Sequence, residues 1–176
     1  LSYYQDNYKG KGILLNSFEW YDLDKDIISK AYIPIDYNKK IKYVEEVLSK
    51  YKYEYEYDEE PTLTQFLELL PQAYQRYNDK RKEINFKSDT NVYIPENKMC
   101  KISCKGEGFK IIDKKDFKDK KYVTYKVDPK LLYRILRGPR YAHWNNAEIG
   151  SHIMFSRKPE VYERGLYFSM NYFHTV

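Results

Sequence analysis

Cysteine is scarce in this 176-residue chain: Cys100 and Cys104 are its only two, and no second Cys/His pair stands at metal-ligand spacing. Four residues apart on an extended segment, they fall on one face. Half a metal site or a single disulfide would fit that spacing. Without further ligands or partners, two small packing residues in a reduced compartment is the better reading. Long apolar runs are also missing. Ile13-Leu14-Leu15 and the region around 166–173 are far too short to span a bilayer. No charged head followed by an apolar run opens the chain, so no signal peptide is expected, and a cytoplasmic protein is. A first residue of Leu1 rather than Met points to a piece of something longer. The chain has no nucleophile elbow, no phosphate-binding glycine loop and no dinucleotide fingerprint.

What is present is the composition of a folded domain: 42% hydrophobic and 32% charged residues. A chain of this length buries roughly 70% of its unfolded surface, enough for a core without staples. The net charge of +5 is uneven. Residues 98–130 hold eleven lysines against five acids, a surplus of +6, while the rest carries 20 basic against 21 acidic residues. Such a segment could attract nucleic acid. It contains no arginine, the residue better suited to forked phosphate contacts, and a solvated lysine-rich hairpin is the expectation. The 21 tyrosines are spread along the whole chain and read as a compositional habit rather than a stacking platform.

Residues 1–33 read as short strands and turns, with Gly10-Lys11-Gly12 ahead of Ile13 and with Phe18, Trp20 and Leu23 alternating with polar residues. Asp36 is a helix cap, followed by Ile41, Val44, Leu48 and Tyr51 on one amphipathic face. Tyr53 to Tyr57 alternates with acids and reads as an exposed connector in preference to a strand. Thr62 and Gln65 form a capping box before Phe66, Leu67, Leu69 and Leu70, and Pro71 should kink or restart that helix. Strands are expected at 92–94, 99–104, 109–112 and 122–127, with a turn at Gly106 and Gly108. Asp128, Pro129, the stripe Leu131, Leu132, Ile135, Leu136 and the stop Gly138-Pro139 spell a helix with both ends marked. A strand over 143–155 with an irregular start should follow. Pro159 should open a last helix with Val161, Leu166, Phe168, Met170 and Phe173 facing inward. The order implies an α+β fold, an antiparallel sheet with helices on one face.

The richest stretch runs from His143 to His152. His143, Trp144, Asn145, Asn146, Glu148, Ser151 and His152 put two imidazoles, two amides, a carboxylate, a hydroxyl and an indole together. If buried, each polar group needs a partner, so the stretch is either a binding site or a network that fixes the local fold. Catalysis is a weaker reading. A metal hydrolase needs at least three converging ligands, and no spacing forces His143, His152 and His174 to converge with Glu148. The plainer alternatives are a hydrogen bond from the Asn145/Asn146 amides to His143 and ordinary packing of His152. Ser151 and His152, adjacent on a strand, would point to opposite faces and could not act as nucleophile and base. Asp22, Asp24 and Asp26 read as solvated.

These residues carry a resemblance. Leu131 through Gly138, His143 through His152, Pro159 through Tyr162 and the terminal Tyr172-Phe173-His174 resemble the C-terminal end of metallo-β-lactamase-fold proteins related to sugar-nucleotide hydroxylases and their Rieske-associated relatives. Phe66 through Tyr74, with Arg76 and Lys80-Arg81, resembles their helical connector, and residues 12–48 more faintly resemble the tail of the hydrolase domain. The strand, helix, strand, helix order of the terminal part is also similar to sterol-carrier-like domains. The HxHxDH cluster that holds the metals in such hydrolases is absent here, and Asn16-Ser17 stands where a Gly-Asp pair is frequent. The resemblance therefore implies a non-catalytic accessory module: a hydrolase tail at 1–60, a helical connector at 61–91 and a C-terminal α+β module at 92–176. It implies no catalytic residue, metal or cofactor of its own. The partner would be a parent catalytic domain or a second subunit, anchored by Trp144, with an apolar or sugar-like small molecule as a further ligand. Nucleic acid and membrane are not expected. The rival readings are a fragment of a metal-dependent hydrolase with a His/Glu site and a nucleic-acid module using the lysine-rich segment.

Overall fold

Asp36 caps a helix as expected, its carboxylate accepting from the amides of Asn38 and Lys39 at 3.0 and 3.1 Å. This helix, α1 (Tyr37–Glu46), follows an antiparallel hairpin of two very short strands, β1 (Tyr21–Asp22) and β2 (Ile27–Ile28). The computed structural model describes residue 7 and residues 12–176, so the Gly10-Lys11 part of the expected turn lies outside the described residues. Asn16 ties the segment together: its amide nitrogen donates to the Ala31 carbonyl at 3.1 Å, and its oxygen accepts from the Ile33 amide at 3.0 Å. These elements belong to one unit, Leu1–Tyr51. Among its described residues none is buried, and the apolar face of α1, with Ile41 and Val44, is exposed.

The second unit is Lys52–Val176. The boundary between the two compact units falls after Tyr51, and residues 61–91 lie in the second unit. Residues Glu54–Tyr57 form a 3-10 turn rather than a strand, exposed as expected apart from a partly buried Tyr55. Helix α2 (Leu63–Arg81) starts at the capping box: Thr62 accepts from the Gln65 amide at 3.3 Å, and Gln65 accepts from the Thr62 amide at 2.8 Å. It runs through Pro71 without a restart. The reason is tertiary: Phe66, Leu70, Ala73 and Tyr77 are buried on both sides of the proline, which itself sits on the exposed face. Burying that stripe outweighs one lost backbone hydrogen bond.

The sheet contains β3 (Thr90–Ile94), β4 (Lys98–Ile102), β5 (Phe109–Asp113), β6 (Tyr122–Val127) and β7 (Ile153–Lys158), in the order β5-β4-β3-β6-β7. All pairs are antiparallel except β3–β6, which is parallel, so the expected antiparallel sheet is mixed. Two hairpins carry the chain outward from β3 to β5, which then points the same way as β3. Residues 114–121 must recross to the far side of β3, and β6 is laid down parallel. Alternate side chains, Val92, Cys100, Val123, Tyr125, Val127 and Ile153 among them, share one core with the helices, which therefore cover one face.

After β6, Asp128 caps α3 (Pro129–Arg137) by accepting from the Lys130 amide at 2.9 Å, and Gly138 ends it at φ +118°. The expected strand over 143–155 is instead a helix, α4 (Trp144–Ile149), followed by β7. The terminal order is thus strand, helix, helix, strand, helix. The last helix, α5 (Arg164–Met170), begins five residues after Pro159. Leu166, Met170 and Phe173 are buried as expected, whereas Val161 and Phe168 are exposed. No helix among the described residues is long and apolar enough to cross a membrane.

Gly165 offers a test of this packing. A Cβ there would lie 2.4 Å from Ile84 Cγ2 and 3.1 Å from the Asn85 carbonyl oxygen. The Ile84 methyl sits on a stiff β-branched centre and cannot swing clear. Gly165→Ala should therefore destabilise by about 1–3 kcal/mol, opposite in sign to the usual gain from removing a helical glycine. A urea titration of both proteins measures it.

Candidate functional site

The structure divides the His143–His152 stretch between the core and two separate surroundings. Trp144, the residue expected to anchor a partner, is only 3% exposed and packs inside its own unit. Its Nε1–H donates to the Phe173 carbonyl oxygen at 2.9 Å, and its ring meets Tyr125 edge-on at 5.7 Å and Phe173 at 6.3 Å. An indole used this way is not available to another chain. The reason is the local fold: as a helix, residues 144–149 bury Trp144 and Ala147 on one side and leave Asn145 and Asn146 exposed on the other. A strand would have alternated them.

His152 belongs to the first surrounding. Tyr53 meets its ring edge-on at 4.6 Å, and the Tyr55 hydroxyl lies 3.2 Å from Nδ1. Its amide donates to the Ala147 carbonyl at 2.9 Å. This arrangement fastens the 54–57 turn to the junction between α4 and β7, the packing role that the sequence offers as its plainer alternative. Ser151 stands in the intervening turn at φ +59°, exposed, and is not on a strand. Glu148 is partly buried, and loss of solvent raises its carboxyl above the usual value.

His143 belongs to the second surrounding. It caps α4, its Nδ1 accepting from the Asn145 amide at 3.3 Å, which is the other plain alternative. In the neutral ring the proton is then on Nε2. Beside it a pocket of roughly 510 Å³ is lined by Arg76, His143, Asn145, Asn171, Tyr172 and His174, with Pro139, Phe168 and Val176 completing the wall. His174 is 5% exposed, and its Nδ1 is buried without a hydrogen-bond partner. Burial pushes its pKa below the usual value, and the positive potential of Arg76 and His143 adds to the effect. Backbone hydrogen bonds at Val176 and Asn171 partly oppose that shift. The terminal Thr175 is held by its amide, which donates to the Leu136 carbonyl at 2.8 Å.

Sequence spacing did not mark Arg76 and His174 as members of one site with His143. Arg76 comes from α2, far upstream, and shares a flank with Lys80 one turn on. Lys80 Nζ lies 5.5 Å from the Phe168 ring centre and 5.2 Å from that of Tyr172. Only the docking of the C-terminal residues against α2 and α4 brings these groups together.

Other charged features are paired locally. Arg134 forks onto Asp58 at 2.5 and 2.8 Å, and its hydrogen bonds hold the Asp58 carboxyl below its usual pKa. Arg137 stacks on Tyr141 at 3.9 Å. In the lysine-rich segment, Lys98 pairs with Asp113 at 2.8 Å and Lys101 with Asp119 at 2.6 Å. Cys100 and Cys104 are both free. Cys100 is a core residue of β4 whose thiol pKa burial raises steeply. Cys104 lies beyond the strand end, where burial and Asp89 push its thiol up to about 11. Among the described residues no three His, Cys, Asp or Glu side chains converge as metal ligands. Comparison with protein-family models, with curated proteins and with solved structures gives no match.

Two measurements follow from this geometry. Trp144→Ala removes a buried ring and leaves the Phe173 carbonyl unpaired, so it should cost about 3–5 kcal/mol in a denaturant melt. The pKa of His174 is lower in the fold than in the unfolded chain, so on acidification the unfolded state takes up its proton first. The stability this group contributes is present above about pH 6.5 and is lost as pH falls from there toward its folded value. His174→Asn should flatten that acid-side decline in ΔG measured by urea unfolding between about pH 7 and 5.

Proposed function

We propose that this chain is a non-catalytic accessory module of a larger metallo-β-lactamase-fold hydrolase, acting in the cytoplasm through packing, oligomerisation or closure of a substrate pocket. The observation that carries this reading is the state of the Leu1–Tyr51 unit. Among its described residues none is buried, yet it exposes Leu14, Leu15, Phe18, Trp20, Leu23, Ile33 and Ile35. Ordering a backbone costs about 1–2 kcal/mol per residue, and burial of apolar side chains is the main term that offsets it. A segment with so much apolar surface and no interior of its own is suited to lying on another protein surface. The parent catalytic domain is the occupant that the resemblance of residues 12–48 to a hydrolase tail supports.

The division of labour follows from the residue inventory. The chain has three histidines and no HxHxDH cluster, so the metal chemistry belongs to the parent domain. The Lys52–Val176 unit has a core of its own.

Two measurements test the reading. The reading frame upstream of Leu1 should encode an HxHxDH cluster in continuous translation with this chain. In the isolated 176-residue protein, limited proteolysis should cut within residues 12–51 and leave a resistant fragment beginning near Lys52. A separate upstream frame, or a segment 12–51 as resistant as the remainder, would overturn the proposal.

A further inference from the structure

We propose that residues 114–121 form a strap that detaches as a unit from the second face of the sheet, baring Asn91 and Met99 while the helix-covered core stays folded. Val92, Cys100, Ile111 and Val123 pack toward the helices, so by alternation Asn91, Tyr93, Met99, Lys101, Ile112 and Tyr122 face the other way. In the strand register Met99 stands between Tyr93 and Ile112. Although the helices lie on the opposite side, Asn91 and Met99 are 0% exposed. The connection from β5 to β6 is what shuts them off. Lys114 Nζ lies 5.3 Å from the Tyr93 ring centre, the Phe117 ring meets Tyr122 edge-on at 5.1 Å, and Asp119 pairs with Lys101 at 2.6 Å.

This cover is weakly fastened. The Phe117 amide donates to the Lys114 carbonyl at 3.3 Å, but residues 118–121 make no backbone–backbone hydrogen bond among the described residues. Five of the eight strap residues are lysine and two are aspartate, a net +3, and the face beneath carries Lys101, Lys110 and Lys126. Like charges on both surfaces oppose closure. Lys101–Asp119 is the one ion pair between them among the described residues, at side chains that keep part of their exposure, where such a pair contributes little. Asn91 supplies an independent reason for opening. Its amide nitrogen and oxygen are both buried, and neither has a hydrogen-bond partner. A buried amide unpaired at both ends is uncommon, and each end forfeits the bond that water would make. Opening the strap removes that penalty at once, offset by the apolar surface of Met99 returned to water. Segments with few buried contacts open on their own, below the free energy of global unfolding.

The chain carries its own reporters, three methionines in three settings. Met154 is 59% exposed, Met99 lies under the strap, and Met170, 2% exposed, belongs to the helix-side core. Hydrogen peroxide converts an accessible thioether to the sulfoxide, with water as the by-product. Oxidation of the full 176-residue chain, followed at each site by mass spectrometry, should be fastest at Met154 and at least about tenfold faster at Met99 than at Met170. Gly165→Ala, which loosens the helix side, should speed oxidation of Met170 and leave that of Met99 unchanged. Asn91→Leu replaces the unpaired amide with an apolar group and should slow Met99 about fivefold or more. Asp119→Asn, at a partly exposed position, removes the ion pair and should speed Met99 about two- to fivefold, a result available even if Asn91→Leu does not fold. Equal rates at Met99 and Met170, parallel acceleration of both in Gly165→Ala, or a wild-type Met99 rate in Asp119→Asn or in folded Asn91→Leu would overturn the proposal. The strap lies wholly within the Lys52–Val176 unit, so this proposal and that of an accessory module fail separately.

Discussion

The indole N–H of Trp144 donates to the carbonyl oxygen of Phe173 at 2.9 Å, in a place where both residues are shut off from water. A buried donor or acceptor left unpaired costs about 1–3 kcal/mol, so this bond is obligatory for each of the segments it joins. It ties the start of α4 to the last residues of the chain. The Phe173 ring, fully buried, then fills the space between Tyr77 of α2 and Trp144, edge-on to the former at 6.1 Å. Thr175 continues the attachment with its amide on the Leu136 carbonyl. Three helices are thereby held by a four-residue strip of chain that has no regular structure of its own.

The position of every group in the candidate site depends on that strip. His174 lies between two anchored residues and has no freedom to leave the pocket it lines. His143 precedes Trp144 directly, so burying the indole brings the imidazole to the edge of the same pocket. Arg76 precedes Tyr77, whose burial against Phe173 sets the phase of α2 at that point. Three cationic or protonatable side chains therefore meet because each is the immediate neighbour of a core aromatic. The Leu1–Tyr51 unit stands in contrast: among its described residues it has local caps and turns, including those of Asp36 and Asn16, but no buried aromatic to organise them.

Elements with marked ends were legible in the sequence. Asp128-Pro129 and Gly138 bound α3 as written, the Thr62/Gln65 box starts α2, and strands β3 to β6 fall within two residues of their expected bounds. These signals act over a few residues, so they survive any tertiary setting. The misreadings share a cause. By its local rule Pro71 predicts a kink or restart, and the buried stripe running past it prevails. A strand is expected over 143–155, while the i, i+3 pairing of Trp144 with Ala147 places both on the buried side of a short helix. His143 and Asn145, close in sequence, line one pocket and share a hydrogen bond. His152 was grouped with them by sequence and separated from them by the turn at Gly150-Ser151.

By itself the sequence determined the α+β class, the capped helices and the absence of an HxHxDH cluster, because composition, periodicity and end signals are local properties. Only the tertiary structure decided that the sheet is mixed, that Trp144 faces inward, and that Arg76, His143 and His174 line one pocket. Those outcomes rest on packing between residues far apart along the chain, and no short-range pattern encodes which buried faces meet.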